Sequence, residues 1–220
     1  MASWFARLMR AGAVPDGLAR RLADYPPYRA PHAGPARRWS PAQARENLAD
    51  LLAHRDERLA LLAGLLREYG IDPAPALAGG DPLPLVDQIH AWAETAWRTL
   101  RPADAESRKR WVMLSREGVD IAFSLALDVA LLLGELIRLH DPRWAWALDE
   151  DPASRRDDMF TAMRPVLLLP GTAAGLPDFP LDLEDIVVDR YLHPDDSGIV
   201  LNPWRRVVSD ALERRYDLVP

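Results

Sequence analysis

Ile121-Ala122-Phe123-Ser124-Leu125-Ala126-Leu127-Asp128-Val129-Ala130-Leu131-Leu132-Leu133-Gly134-Glu135-Leu136-Ile137 is the stretch on which the fold turns. The run is apolar on nearly every side, so a helix over about 117 to 139 needs cover from other elements over most of its surface. Its 17 residues include Asp128 and Glu135, which makes it too short and too charged for a membrane span. It reads as the central helix of a buried core, and the rest of the chain is read for what could cover it.

Upstream, Ser40-Pro41-Ala42-Gln43 combines a Ser N-cap, Pro at the first helical position and a Gln able to complete a capping box. Leu48, Leu51, Leu52, Leu59, Leu62, Leu66 and Tyr69 follow at three- and four-residue steps until Gly70 and Asp72-Pro73 stop them. At 1.5 Å per residue this helix is about 43 Å long. A loop from Pro73 to Pro84 hands over to a second helix with Val86, Ile89, Trp92, Ala93, Ala96, Trp97 and Leu100 on its apolar face. Pro102 ends that helix, and Asp104 to Arg110 reads as a charged connector. Ahead of all this, two short helices are expected over 2–11 and 16–24. A connector containing Pro26, Pro27, Pro31 and Pro35 follows them and reads as a stiff spacer.

Downstream of His140-Asp141-Pro142 the period changes from helical to alternating. Trp144, Trp146 and Leu148 point one way and Arg143, Ala145 and Ala147 the other, which is a strand. Pro165 to Leu169 is a second short apolar run that can pair with it. Asp182 and Asn202 look like caps of closing helices over 183–192 and 203–215. The expected fold class is therefore α+β and predominantly helical. N-terminal helices pack on a C-terminal half that has a buried helix, a small antiparallel sheet and two closing helices. Residues 1–39 read as a helical arm with a proline-rich connector, 40–117 as a helical hairpin, and 118–220 as an α+β half that forms one compact domain with the hairpin.

Composition narrows the function. With 33 Asp and Glu against 27 Lys and Arg, the net charge is −6, which argues against nucleic-acid or anionic-membrane binding and suits a basic protein partner. Lys109 is the only lysine, a bias that reads as a G+C-rich bacterial genome. No cysteine is present, so disulfides, thiolate metal sites and cysteine nucleophiles are excluded, and the expected address is cytoplasmic. The first twelve residues interrupt their apolar positions with Arg7 and Arg10, which is not the unbroken core of a secretory signal.

Sequence patterns of common chemistry are absent. His32, His54, His90, His140 and His193 show no spacing that lets two share a metal ion, and Asp195-Asp196-Ser197-Gly198 lacks the alternation of a calcium loop. No metal and no cofactor is expected. Gly171-Thr172-Ala173-Ala174-Gly175 lacks the third glycine of a dinucleotide loop, and no GxSxG surrounds any serine. One constellation remains. Asp120, Ser124, Asp128 and Glu135 fall near one face of the central helix. They read either as an acid/base pair lining a pocket beside His140, against Trp144 and Trp146, or as partners of buried arginines. Mutual pairing within the chain is the favoured reading.

Two further sets of residues read as binding surface. Trp39 and Trp111 lie beside Arg38 and Arg110 near element ends, the composition of an interface hot spot. Asp149-Glu150-Asp151, Asp157-Asp158 and Asp195-Asp196 are acidic clusters that read either as solvated surface, the favoured reading, or as suited to a basic partner.

The segment from Asp128 to Ile137, with its Leu133-Gly134-Glu135, followed by Pro142-Arg143-Trp144-Ala145-Trp146 and by Arg164-Pro165-Val166-Leu167, resembles uncharacterised bacterial domains. Some similar small proteins act as immunity proteins in polymorphic toxin systems. The resemblance covers about residues 118 to 216, and its motifs are short. It implies an α+β domain, with Gly134 allowing close helix-to-strand packing and Glu135 receiving an arginine, Arg164 being the nominee. It transfers no catalytic residue. The expected function is a non-catalytic, cytoplasmic bacterial protein-binding protein of immunity type. The alternative is an enzyme or small-ligand-binding protein with an acidic pocket around Asp128, Glu135 and His140. A third expectation is a homo-oligomer docked through the N-terminal arm.

Overall fold

The computed structural model describes residues 17–100, 103–171, 177–193 and 202–218. The chain enters through α1 (Leu18–Ala23), whose Leu18 and Leu22 are buried, and a connector runs from there to Ser40. Helix α2 (Pro41–Glu68) starts as its sequence dictates. Gln43 N donates to Ser40 Oγ at 3.2 Å and Ser40 N to Gln43 Oε1 at 2.9 Å, which closes the capping box. Gly70, at φ 77°, turns the chain after it in a conformation that L side chains resist. A short α3 (Ala74–Leu77) interrupts the expected loop. Then α4 (Leu83–Ala96) carries Leu85, Val86, Ile89, Trp92 and Ala93 inward.

The expected charged connector after Pro102 contains a helix instead, α5 (Ser107–Val112), held at its start by a hydrogen bond from Asp104 N to Ser107 Oγ. Six residues give no periodicity to read, and the charges belong to its outer face. The central helix α6 (Ala122–His140) follows a 3-10 turn, and every residue from Ala122 to Ile137 is buried. It packs against α2 on one side. On the others lie α8 (Leu183–Leu192) and α9 (Pro203–Leu212), capped by Asp182 and Asn202 as expected.

The sheet has the order β1-β2-β3, all antiparallel, with β1 (Ala145–Leu148), β2 (Pro165–Leu169) and β3 (Phe179–Leu181). Trp146 lies opposite Leu167 and Leu167 opposite Leu181, which puts these three on the face toward α6. On the other face Ala145 is exposed, while Ala147, Leu168 and Pro180 are half-buried. A Cβ on Gly134 would overlap the Trp146 ring, 2.9 Å from Cη2, so glycine is what lets β1 approach α6 this closely. Between β1 and β2 sits α7 (Pro152–Arg156), capped by the Asp151 carboxylate. No helix among the described residues is long and apolar enough to cross a membrane.

The connector is not a spacer. Tyr25, Tyr28 and Trp39 are buried, and Leu18, Leu22 and Tyr25 belong to the same core as α4, α6 and α8. Residues 17–39 are therefore packed into the globule and are not a free-standing arm. The expected helix over 2–11 and the Asp195-Asp196 turn lie outside the described residues.

Candidate functional site

The acidic face of α6 is a seam onto which the connector and its neighbours are fastened. Asp128, with no exposed surface, accepts from Arg58 Nε at 2.8 Å and Arg58 Nη2 at 2.6 Å, and from the Tyr25 hydroxyl at 2.5 Å. Arg58 completes its fork by donating Nη1 to the Pro26 carbonyl at 2.6 Å. One buried pair thus ties the connector, α2 and α6 together, and its hydrogen bonds offset part of the desolvation of both charges. Burial pushes the Asp128 carboxyl up to about 6, against the opposing pull of Arg58 and Tyr25. Burial, and then the adjacent carboxylate, holds the Tyr25 phenol above its ordinary range.

Ser124 accepts from Tyr28 N and donates to the Arg116 carbonyl, both at 3.0 Å. Asp120 receives Arg110 Nε and the Ser115 hydroxyl, both at 2.8 Å. Asn47 takes His32 N and returns Nδ2 to the His32 carbonyl, a strand-like pairing that holds the connector along α2.

Glu135 accepts from Arg138 Nη1 at 2.8 and 3.0 Å and from Trp146 Nε1 at 2.8 Å. The expected partner, Arg164, is elsewhere: its Nε donates to Asp182 at 2.7 Å, and its Nη2 lies 3.4 Å from Glu184. A residue three positions away on the same helix reaches Glu135 more directly than one just ahead of β2. His140 is exposed at the end of α6, with Nδ1 donating to the Leu136 carbonyl at 2.8 Å. Twelve residues of helix, about 18 Å, separate it from Asp128. Asp128, Glu135 and His140 therefore do not line one pocket.

Trp39 and Trp111 are buried, contrary to the expected exposed hot spots. Trp39 Nε1 donates to the Ala33 carbonyl at 3.1 Å, and Trp111 Nε1 to Glu184 at 2.9 Å. The neighbouring arginines cover the ring instead of presenting it to solvent. Arg164 lies 4.8 Å from the Trp111 ring centre and 4.5 Å from that of Phe160, and Arg108 lies 5.3 Å from each.

Glu184, which no sequence pattern singled out, also takes Arg116 Nη1 at 2.5 Å. Burial alone would raise its carboxyl, but Arg116 and Arg164 outweigh burial and leave it below its ordinary value. In the sequence Glu184 reads only as first-turn acid on a helix, favoured there by the helix dipole. A small cavity of about 40 Å³ remains beside Arg116 and Arg164, under Tyr28 and Trp39. Arg116 Nε finds no partner among the described residues. The space is enough for about three water molecules.

The acidic clusters separate. Asp157 pairs with Arg156 at 2.8 Å, and Asp158 lies 3.7 Å from Arg37. Asp149, Glu150 and Asp151 instead border an open groove of about 650 Å³ together with Asp178. Arg45 and Leu48 of α2 form one wall of the groove, and Trp146, Ala147, Leu148 and Leu168 of the sheet supply its apolar surface. Asp149 is buried, contrary to the expected surface role. Its carboxylate accepts from Thr161 Oγ1 at 2.5 Å and Asp151 N at 3.2 Å. Glu150 meets Arg45 at 2.7 Å, Asp151 caps α7, and Asp178 accepts from Gly171 N at 3.0 Å. Four carboxylates against one guanidinium leave the lining negative, and an ionised carboxylate has about four acceptor positions, more than these bonds use.

Among the described residues no group of three or more His, Asp or Glu is placed to hold a metal ion. Fold and site together define a helix-dominated α+β protein with a buried ion-paired seam and an acid-rimmed groove. The chain matches no family model, no curated protein and no solved structure.

Proposed function

We propose that this is a non-catalytic protein-binding protein of the immunity type, which engages a basic protein partner through the acidic surface around Asp149–Asp151. The observation that carries the reading is that Glu150, Asp151 and Asp178 border one groove in which Arg45 is the only cation among the described residues. The non-catalytic side is supported by the fate of the candidate acid and base groups. Asp128 and Glu135 are consumed by arginines, and His140 stands apart from both. A negative surface meeting a positive partner mainly raises the association rate and rejects wrong partners.

The test is capture of partners from a bacterial lysate by the tagged chain at low and moderate salt, beside a Glu150→Arg, Asp178→Arg variant. The expected result is one near-stoichiometric basic protein, released as salt rises and not retained by the variant. Capture of nothing specific, or a partner held equally well after charge reversal, refutes the reading.

A further inference from the structure

The groove between α2 and the sheet is short and open. Its volume, about 650 Å³, lies within the ~300–1,000 Å³ of pockets that enclose small-molecule-sized ligands. It therefore takes a few residues of a chain. Its apolar surface is made by Leu48, Ala147, Leu148 and Leu168, with part of Trp146, so side chains from both faces of the edge strand β1 reach it. Around that surface stand Glu150, Asp151 and Asp178, with Asp149 beneath them, so apolar and anionic surface alternate over one short span. A long cationic side chain matches both, since its methylene stem lies on apolar surface while its head reaches a carboxylate. Arginine suits this better than lysine, because its planar fork matches a carboxylate with two hydrogen bonds.

We propose that the groove binds an extended, arginine-bearing segment of a partner polypeptide, laid between α2 and the β1 edge of the sheet. Stems of its basic residues rest on Leu48 and Leu168, and their guanidinium groups meet Glu150, Asp151 and Asp178. Arg45 is the internal competitor, since it already occupies Glu150. An arriving arginine replaces it there. The inference rests on the protein-binding reading but goes beyond it, because a basic partner could equally present a folded surface to the same acidic face.

The experiment uses the full chain and blocked eight-residue peptides of alternating arginine and valine, with glutamate–valine and glycine–serine peptides as controls. Binding is followed by fluorescence anisotropy at low and physiological salt. The arginine peptide is expected to bind and the controls not to. Leu168→Arg, which fills the apolar floor with like charge, and Glu150→Gln should each weaken binding about tenfold. Arg45→Ser should strengthen it about two- to fivefold by freeing Glu150. Equal binding of the controls, or indifference to both Leu168→Arg and Arg45→Ser, overturns the inference. If a basic protein is captured from lysate but the arginine peptide neither binds the chain nor displaces that protein, the linear-segment inference fails while the protein-binding reading stands. Peptide binding without any captured partner fails the broader reading alone.

Discussion

Arg58→Met leaves Asp128 buried against Tyr25 with no counter-ion, and the size of the penalty follows from the geometry. Arg58 supplies two hydrogen bonds to a carboxylate that has no exposed surface, and removing one partner from such a pair costs about 3–5 kcal/mol. The stranded carboxyl has one escape, which is to take up a proton. From an ordinary Asp value near 3.9 in the unfolded chain, that costs at most about 4 kcal/mol at pH 7 and about 1.5 at pH 5. In the intact protein the carboxyl already stands at about 6. Between about pH 4 and 6 the folded state therefore binds more protons than the unfolded one, and its Asp128 contribution falls as pH rises. That contribution grows by about 1 kcal/mol on going from pH 7 to pH 5, against about 3 in a variant whose carboxyl stays protonated, so the Arg58→Met penalty should shrink by about 1–2 kcal/mol. Adding Asp128→Asn to Arg58→Met should recover most of the loss at pH 7, because the amide carries no charge and still accepts from Tyr25. Urea unfolding followed by tryptophan fluorescence at both pH values measures all of this. A loss under about 1 kcal/mol at pH 7, or the same loss at pH 5, would refute a buried ion pair as the fastening of the connector.

Gly134→Ala should cost about 1–3 kcal/mol, because its methyl must displace the Trp146 ring; thermal unfolding reads it, and an unchanged midpoint contradicts the close packing of β1 on α6. Ser40→Ala removes half of the capping box and should lower stability by about 1 kcal/mol, whereas Ser40→Asp should be nearly neutral in the same denaturation series. Glu135→Gln should keep partner binding unchanged while weakening the hold of Arg138; loss of partner capture with the fold intact, judged by circular dichroism, would put Glu135 back among the functional residues. Trp111→Phe removes a donor from Glu184 while keeping most of the ring, and should cost about 1–3 kcal/mol without affecting peptide binding in the groove.

The elements legible in the sequence are those whose stabilisation is local or periodic. Ser40 and Gln43 announce α2 by themselves, Asp182 and Asn202 announce the closing helices, and the unbroken apolar run announces α6 before any partner is known. Strands β1 and β2 are visible because alternation and a bounded apolar run survive in four or five residues. Strand β3 is not, since Phe179-Pro180-Leu181 is too short to alternate, and only its place at the sheet edge makes its proline compatible with a strand. The two misplaced tryptophans fail for a different reason. Arginine beside tryptophan reads as exposed chemistry, yet guanidinium is weakly hydrated enough to be buried against a ring, as Arg164 is against Trp111. Likewise the groove is assembled from α2, the β1 exit, β2 and Asp178, and no window of the sequence holds more than part of it.

The distribution of charge within the structure argues for where function lies. The interior carboxylates of the seam and of the closing helix each sit against arginine: Asp128 with Arg58, Asp182 with Arg164, and Glu184 with Arg116. Such pairs contribute little net stability relative to apolar packing, but breaking one strands a charge, so they fix which element lies against which. Substituting them tests the fold. The groove carboxylates are in the opposite position. They bond to backbone amides, a hydroxyl and one exposed arginine, so changing Glu150 or Asp178 leaves no buried charge behind. Surface ion pairs of this kind contribute at most about 1 kcal/mol, so charge reversal there should leave unfolding nearly unchanged. A Glu150→Arg, Asp178→Arg chain that unfolds like the parent and yet loses its partner would separate binding from folding in one comparison. The same chain unfolding several kcal/mol earlier would mean that these carboxylates hold the structure together, and the groove would lose its claim to be a binding surface.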